Sequence, residues 1–341
     1  MLNIKSKGFS LILFLFLAAT SAYSQDPLFS QYYASALHIN PAFAGLSDAP
    51  RFAMNYRNQW PQLGQSFRSY VTYSASYDQN FESLKSGFGV QILADDAGGG
   101  LIKNSKFAGY YGYRMELPWS GHFIKAGIEV GLVNLRYDWD KFVFGDQIDP
   151  ESGFLSPGGT PILSREIRPD KTSANYLDVG TGMLYYSQEF YVGVGIKHIN
   201  TPDNSILKIN QDAFSGVPIR WTFHGGYEKR ISKRGRIEQL ISPAFLLARQ
   251  AKFFQFNVGL NYQYSSVFTG LWFRYARQSP DALIALVGFR KEFWKLAYSF
   301  DYTLSDIEIS QGGSHELSLL INLASTLKKK PNVSDCFEAF R

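Results

Sequence analysis

The chain of 341 residues lacks several features that commonly anchor or crosslink a protein. It contains one cysteine, Cys336, so no disulfide can form within a single copy of the chain. After residue 24 no stretch is continuously apolar over the roughly 20 residues that a membrane-spanning helix requires. The formal net charge is only +5, and no basic stripe with interleaved aromatic residues points to a nucleic-acid partner. These shortages argue against a disulfide-stapled fold, a helical membrane protein and a nucleic-acid-binding protein.

The first 24 residues instead have the composition of an export signal. Lys5 and Lys7 precede a short apolar stretch, and the small residues at 22–24 suit a signal peptidase. The apolar stretch is too short to cross a bilayer as a helix, which takes about 20 residues. We therefore predict that residues 1–24 are a signal peptide and that cleavage occurs before Gln25.

The remaining chain is rich in apolar residues, which recur in alternation rather than in runs. Hydrophobic residues account for 45% of the sequence and aromatic residues for 16%, which is ample for a folded core or a lipid-facing surface. In residues 123–135, for example, Ile128 and Val130 share one face, whereas Lys125 and Glu129 share the other. Side chains of a β-strand point alternately to opposite faces, so this pattern predicts amphipathic strands.

Three features favour a membrane barrel over a soluble β-sandwich, whose strands also alternate. The strand candidates run about ten to fifteen residues, longer than the roughly five or six that are usual in soluble sheets. Aromatic residues cluster at strand ends, as in Tyr185-Tyr186 and Phe293-Trp294, where an aromatic belt would meet lipid headgroups. The polar face is rich in Gly, Ser, Gln and Asn, which suits a crowded or water-filled lumen. We therefore predict an all-β, transmembrane antiparallel β-barrel over residues 51–323.

Counting the alternating segments gives about 14 strands, an even number as in closed bacterial barrels. The predicted strands cover residues 51–57, 67–78, 86–94, 104–117, 122–137, 176–187, 189–198, 217–230, 238–248, 251–264, 266–277, 281–290, 293–303 and 313–323. If the barrel starts on the periplasmic side, the even-numbered connections are short periplasmic turns and the odd-numbered ones face outward. The long stretches 138–175, 199–216 and 304–312 are all odd-numbered, which agrees with this orientation.

Two segments lie outside the barrel pattern. Residues 25–50 contain Pro and Asn turn signals and no clean alternation, so we expect them either to fill the lumen or to hang below it. The tail, residues 324–341, follows the last predicted strand. An even number of strands returns the chain to its starting side, so we expect periplasmic N- and C-terminal segments.

No constellation of residues indicates catalysis, a cofactor or a metal. The sequence contains no H-E-x-x-H, P-loop or G-x-S-x-G motif. His198 and His224 lie on adjacent predicted strands and could belong to a barrel-wall hydrolase, although structural histidines are the commoner case. Several acidic residues of one outward loop could bind Ca²⁺, but their spacing does not match the calcium-binding loop, so a solvated acidic loop is favoured. These residues are Asp138, Asp140, Asp146, Asp149 and Glu151.

The most distinctive motif lies at the start of the mature chain. It reads Asp26-Pro27-Leu28-Phe29-Ser30-Gln31-Tyr32-Tyr33, followed by Asn40-Pro41-Ala42-Phe43-Ala44-Gly45. Together with Tyr56-Arg57-Asn58-Gln59-Trp60-Pro61, the glycine-rich loop Asp95 to Gly100 and the cysteine near the end, it resembles the PorP/SprF family of type IX secretion outer-membrane proteins of Bacteroidetes. The resemblance covers the whole mature chain. The ending, Cys336-Phe337-Glu338-Ala339-Phe340-Arg341, departs from the compact close that is common in the family.

The resemblance implies an accessory component of type IX secretion that supports the secretion or surface attachment of particular cargo proteins, such as gliding adhesins, by protein binding. Besides outer-membrane lipid, the implied partners are cargo C-terminal domains and periplasmic ring or motor proteins. The implied docking residues are Asp26, Pro27, Phe29, Ser30, Gln31, Tyr32, Asn40, Pro41, Ala42 and Gly45. From the residues alone, the same stretch could be a lumen plug, and the barrel could be a diffusion channel for small solutes.

Overall fold

The structure is a computed structural model of the chain. It describes residues 25–62, 69–119, 121–149, 153–156, 159–205, 216–232, 237–277, 281–291, 293–304 and 312–323. The predicted signal peptide, the C-terminal tail with Cys336 and parts of several connections lie outside the described residues. Within the described ranges, no helix is long and apolar enough to cross a membrane.

The fold is one antiparallel sheet of 15 strands that follow one another along the chain. The strands are β1 (Arg51–Gln59), β2 (Tyr70–Phe81), β3 (Ser86–Ala97), β4 (Ile102–Glu116), β5 (Phe123–Tyr137), β6 (Ser173–Tyr186), β7 (Phe190–Lys197), β8 (Arg220–Tyr227), β9 (Lys229–Arg230), β10 (Gln239–Gln250), β11 (Phe253–Tyr264), β12 (Val267–Ala276), β13 (Ala282–Lys291), β14 (Trp294–Thr303) and β15 (Ser314–Asn322). The two-residue β9 continues β8, since both pair with β10. The wall therefore has 14 strands, which confirms the predicted number.

The sheet closes on itself into a barrel. β1 pairs with β2 on one side and with β15 on the other, so Arg51 lies opposite both Asp78 and Asn322. The pairing of β10 with β11 completes the ring. A closed ladder satisfies the backbone N–H and C=O groups without water, as a hydrocarbon environment requires. The predicted transmembrane barrel architecture is confirmed.

The wall is polar inside and apolar outside, the reverse of a soluble protein. On β5, Lys125 and Glu129 are buried, whereas Ile128, Val130 and Leu132 are 52%, 49% and 64% exposed. The same alternation of buried and exposed positions runs through β11, β12 and β14. The outer face therefore offers its apolar side chains to lipid tails, while the inner face collects the polar and charged ones.

The connections define two different ends of the barrel. The longest odd-numbered connections are 138–172 and 198–219, and we name their side the long-loop end. The even-numbered connections include 187–189, 265–266 and 292–293, and we name their side the short-turn end. Two odd-numbered connections, 98–101 and 251–252, are also short, so length alternates only in part.

The glycine-rich stretch at 98–100 forms the turn of a β-hairpin. Gly98, Gly99 and Gly100 have φ values of 67°, 65° and 93°, which residues with a side chain rarely adopt. The backbone N–H of Gly98 donates to the carbonyl of Ser69 at 2.7 Å. Three consecutive positive φ values explain why this turn uses glycine throughout.

Residues 25–50, which we call the N-terminal segment, lie inside the lumen. The segment contains a single helical turn, α1 (Ala36–Ile39), and a 3-10 turn, Pro41–Phe43, which contacts β4, β5 and β6. Its large side chains are buried. The exposed fraction is only 1% for each of Phe29, Tyr32, Leu37, Ile39 and Phe43. Of the two placements that the sequence left open, the described residues occupy the interior one.

Candidate functional site

The N-terminal segment runs through the lumen from the long-loop end to the short-turn end. Near the long loops, Asp26 contacts His198, which directly follows β7. At the opposite end, the side-chain amide of Asn322 donates to Ser47 Oγ at 2.9 Å. The segment thus begins near the long-loop mouth instead of lying beneath the barrel, as a wholly periplasmic position would require. The reason is that polar groups of the inner wall bind its backbone along its length.

The motif residues come together within this segment. Asp26 and Pro27 are half-buried near the long-loop mouth. The other motif residues are buried, namely Phe29, Ser30, Gln31, Tyr32, Asn40, Pro41, Ala42 and Gly45. In this arrangement their side chains contact the barrel rather than solvent. Their role in docking a partner stays a prediction.

A group of charged residues holds the first turn of the N-terminal segment. The Glu316 carboxylate on β15 accepts hydrogen bonds from the backbone N–H groups of Ser30 and Gln31, at 2.8 and 2.9 Å. Arg57 on β1 pairs with Glu316 at 3.0 Å and with Asp301 on β14 at 2.8 Å. A buried carboxylate requires such charged and hydrogen-bonding partners to offset its lost hydration. We call Arg57, Asp301 and Glu316 the charged anchor.

Side-chain hydrogen bonds fix the orientation of the same turn. Ser30 Oγ donates to the Asp301 carboxylate at 2.7 Å. The Gln31 amide donates to Ser299 Oγ at 3.0 Å and accepts from Ser318 Oγ at 2.5 Å. Both functions of the Gln31 amide are therefore used, which a carboxylate at that position could not reproduce.

A second charged group lies at the long-loop end. His198 stands between two carboxylates, with Nε2 2.6 Å from Asp26 and Nδ1 2.8 Å from Asp178. Arg220 on β8 pairs with Asp26 at 3.0 Å and donates to the backbone carbonyl of His38 at 2.8 Å. We call Asp26, Asp178, His198 and Arg220 the mouth cluster. It ties the start of the N-terminal segment to the ends of the surrounding strands.

The mouth cluster keeps His198 charged at neutral pH. Burial lowers the pKa of His198, but the Asp26 and Asp178 carboxylates raise it, so that the pKa is about 9. Burial raises the pKa of Asp26, whereas His198 and Arg220 lower it, and the result is well below the usual value. A protonated imidazole has an N–H donor on each ring nitrogen, as two flanking carboxylates require. The contact is therefore an ion pair.

Asn40 holds the middle of the N-terminal segment. Its Nδ2 donates to the backbone carbonyls of Met183 and Val194, at 3.0 and 3.1 Å. Its Oδ1 accepts the backbone N–H of Ala42 at 2.9 Å, which caps the turn that starts at Pro41. Asn as the cap and Pro as the first turn residue is a favourable combination, because the side chain satisfies an N–H that the turn leaves open.

Inward-facing glycines let the backbone of the segment approach the wall. A Cβ added at Gly127 would lie 2.3 Å from the Ala42 nitrogen, and one added at Gly87 would lie 2.1 Å from the Ala44 carbonyl oxygen. Both distances are shorter than any tolerable contact, so only glycine fits. Gly195 approaches the Ile39 carbonyl oxygen in the same way, and Gly182 leaves room for the Asn40 side chain. We call these four glycines the glycine track.

The segment leaves the lumen through contacts at the short-turn end. The backbone N–H of Gly45 donates to the Asp78 carboxylate at 2.9 Å, and Asp78 pairs with Arg51 at 2.9 Å. The Lys125 ammonium donates to the Gly45 carbonyl at 2.7 Å. Both backbone groups of Gly45 therefore bind charged side chains of the wall just before β1 begins at Arg51.

The longest connection, 138–172, presents large apolar side chains at the long-loop end. Leu163 and Ile167 are 84% and 87% exposed. Asp146 accepts the backbone N–H of Arg165 at 2.6 Å, which lowers the pKa of Asp146, and Arg168 pairs with Asp140 at 2.9 Å. Two of the carboxylates considered for calcium thus bind groups of their own loop. In the part of the chain that the structure describes, no cluster of His, Cys, Asp and Glu could hold a metal ion.

The comparison with protein families agrees with the family that the N-terminal motif resembles and with the barrel fold. A family model described as the type IX secretion system membrane protein PorP/SprF matches residues 21–321. The chain belongs to the PorP/SprF family. It is therefore a membrane component of type IX secretion, built as an outer-membrane β-barrel. A search of curated proteins found no match.

Solved structures similar to this PorP/SprF protein are β-barrels of low sequence identity. The Acinetobacter baumannii outer membrane protein Omp33 is 8% identical, with a TM-score of 0.43 over 82% of this chain and 99% of that one. The CymD monoaromatic hydrocarbon channel is 11% identical, with a TM-score of 0.47 over 85% and 92%. A Rhodopseudomonas blastica porin variant is 6% identical, with a TM-score of 0.34 over 80% and 98%. At these scores none of them indicates a function for this chain.

The two histidines considered for a barrel-wall hydrolase in this PorP/SprF barrel, His198 and His224, contact the N-terminal segment. His224 Nε2 lies 3.1 Å from the Asn40 amide nitrogen, and His198 binds Asp26. The family and the fold are those of a secretion-system barrel rather than of an enzyme. Sequence reasoning did not identify the charged anchor. Its only sequence signal was a set of charged residues at inward-facing strand positions.

Proposed function

We propose that this PorP/SprF protein supports the secretion or surface attachment of particular cargo proteins, such as gliding adhesins, by binding them. In this proposal the C-terminal domain of the cargo binds at the long-loop end, above all on connection 138–172. Periplasmic ring or motor proteins of the secretion system bind at the short-turn end. The proposal builds on the membership of the family and on the geometry of the lumen.

The observation that carries the proposal is the filled lumen. A diffusion channel requires a continuous water-filled path, but the N-terminal segment occupies the interior and uses the polar inner wall as its binding surface. Charged residues that would line a pore are paired instead with the segment or with each other, as in the charged anchor. A barrel of this kind is suited to act through its two ends.

The exposed apolar residues of the long-loop end support the site of cargo binding. Leu163 and Ile167 are nearly fully exposed on a loop that polar contacts hold in place. Exposed large apolar side chains on an ordered loop are typical of protein-binding surfaces. The proposed contribution of the motif to docking is indirect, because it braces the strands that carry these loops.

The experiment is a clean deletion of the gene, complemented with the wild-type chain or with variants. The deletion is expected to abolish surface display of one or a few cargo proteins, measured by proteomics of surface and culture fluid. The double variant Leu163→Ser/Ile167→Ser is expected to reproduce much of this loss. Leu304→Ser is the matched control, since Leu304 is 52% exposed at the same end of the barrel but lies outside connection 138–172. Intact display of every cargo protein in the deletion strain would contradict the proposal.

Channel recording tests the competing function. The purified protein in planar bilayers is expected to show no steady conductance, because the segment blocks the lumen. A steady open pore in the wild-type protein would instead support solute diffusion.

A further inference from the structure

An apolar groove runs along the outer wall over strands β2 to β5. It has a volume of about 510 Å³ and extends from the short-turn end toward the middle of the wall. The outward side chains that line it are Tyr77, Gln79, Phe81, Phe88, Val90, Tyr111, Ile128 and Val130. Gln79 supplies an amide at the short-turn end, and the middle of the wall is reached at Ile128 and Val130.

The floor of the groove is Gly109 on β4. A Cβ added at Gly109 would meet no atom within 4 Å, so the groove is open where a side chain would otherwise stand. Gly225 on β8 is another outward-facing glycine, and it gives the opposite result. A Cβ there would lie 2.8 Å from the ring of Phe245, which already covers the space. The gap at Gly109 is therefore not a general property of glycines in this wall.

Aromatic rings give the groove firm sides. Phe81 and Phe88 pack edge to face with ring centres 5.5 Å apart, and Phe88 contacts Tyr111 at 5.2 Å. The Tyr111 hydroxyl lies 3.0 Å from Ser86 Oγ, which fixes the outer end of that ring. Rings held in this way cannot easily collapse into the gap, because each already packs against a neighbour.

We propose that the groove at Gly109 binds one acyl chain of a phospholipid from the leaflet at the short-turn end. Toward the middle of the wall the lining side chains Val90, Ile128 and Val130 offer water no hydrogen-bond partner, so the space there is filled by hydrocarbon. An unfilled groove would forfeit the dispersion contacts of all the rings that line it. The site lies beyond the proposed cargo-binding function, since it concerns the wall and not the loops.

The polar end of the groove matches a phospholipid headgroup region. The Tyr77 hydroxyl donates to Gln79 Oε1 at 2.6 Å, which directs the amide nitrogen of Gln79 to act as a donor. Lys85 lies in the adjoining turn, Glu82 to Lys85, and carries a positive charge suited to a phosphate. An ester carbonyl near Gln79 and a phosphate near Lys85 would place the acyl chain along the groove.

The test uses the full mature protein and phosphatidylethanolamine that carries a photoreactive diazirine in one acyl chain. Crosslinks are mapped by mass spectrometry after irradiation in nanodiscs. In the wild type they are expected to concentrate on β3 and β4. Gly109→Leu fills the floor without changing the lumen, and we expect at least a tenfold loss of crosslinks there. Val130→Phe narrows the groove from its other side and is expected to act in the same direction.

Ala285→Leu is the matched control, because Ala285 faces outward on β13, away from the groove. It is expected to leave the crosslinks on β3 and β4 unchanged, and barrel folding is checked for every variant by heat-dependent migration in gel electrophoresis. Crosslinks spread evenly around the wall would overturn the proposal. So would an undiminished signal in folded Gly109→Leu and Val130→Phe, a loss of signal in Ala285→Leu, or preferential labelling by an equivalent lipid A probe.

Discussion

The charged anchor and the glycine track hold the same N-terminal segment in different ways. At the charged anchor, Glu316 binds the backbone of Ser30 and Gln31 through electrostatic hydrogen bonds of 2.8 and 2.9 Å. At the glycine track, the wall supplies no side chain at all, and Gly127 lets the backbone of Ala42 come into direct contact. The charged anchor holds the segment by electrostatic attraction, whereas the glycine track holds it by close steric fit.

The difference predicts different responses to substitution. A charge can be removed while the space around it stays the same, so the segment loses binding energy but not its place. A side chain added to the glycine track occupies the place itself, because backbone atoms on both sides cannot move aside. Steric changes should therefore expel the segment, and charge changes should loosen it.

The largest effect is expected from Gly127→Val. The new Cβ would overlap the Ala42 nitrogen at 2.3 Å and the Pro41 carbonyl carbon at 2.4 Å. The segment must therefore move away from this position in the lumen. We expect a loss of about 4 kcal/mol or more in unfolding free energy, together with the appearance of conductance in planar bilayers. Ala126→Val is the control, since Ala126 is the neighbouring residue on the same strand and is exposed on the outer face. A stable, silent Gly127→Val barrel would contradict the steric account.

A smaller loss is expected from Glu316→Ala. The substitution leaves the Ser30 and Gln31 N–H groups without their acceptor and Arg57 with one carboxylate instead of two. Breaking a buried ion pair on one side typically costs about 3 kcal/mol or more, which thermal unfolding in detergent can measure. Glu316→Gln keeps an acceptor and should recover part of the loss. Equal stability of all three chains would show that the anchor does not hold the segment.

The mouth cluster should make stability depend on pH. The folded-state pKa of His198, about 9, lies above its ordinary value of 6.5. Its contribution is therefore complete below pH 6.5 and is lost as the pH rises through 9. The loss is expected to be on the order of 2 kcal/mol. His198→Gln removes the titrating group. The unfolding temperature of the wild type should fall between neutral pH and about pH 10, whereas that of the variant should not show this decline.

The smallest effect is expected from Asn40→Ala. It removes the hydrogen bonds to Met183, Val194 and Ala42 but leaves the packing of the turn. Loss of a cap costs about 1 kcal/mol, and the buried carbonyls of the wall add to this. Hydrogen exchange at the Ala42 amide should accelerate in the variant. Exchange as slow as in the wild type would assign the protection of this amide to the glycine track alone.

Much of the barrel could be predicted from the sequence, because period-two alternation reports directly which face a residue occupies. Lys125 and Glu129 were correctly separated from Ile128 and Val130. The strand β3 ends at Ala97 instead of residue 94, since the polar Asp95 and Asp96 still pair with β2. Polar residues of a lumen-facing strand do not mark its end as they would in a soluble sheet.

The contacts of the N-terminal segment could not be predicted in this way. Alternation places Glu316 on the inner face but does not say that it meets Ser30, which is 286 residues away in the sequence. Likewise, inward glycines such as Gly127 indicated only a crowded or wet lumen. Which of the two applies depends on how the segment crosses the interior, and local patterns carry no information about that path.

The charged anchor links the state of the lumen to the completion of the wall. Arg57 belongs to the first strand, whereas Asp301 and Glu316 belong to the last two, so their common site does not exist until the ring is complete. The Ser30 turn of the N-terminal segment can therefore bind these carboxylates only after the final hairpin has joined the wall. A chain stalled before its last strands would lack this site and would hold the segment only through the glycine track and the mouth cluster, so an incomplete barrel differs from a finished one inside its lumen as well as in its wall.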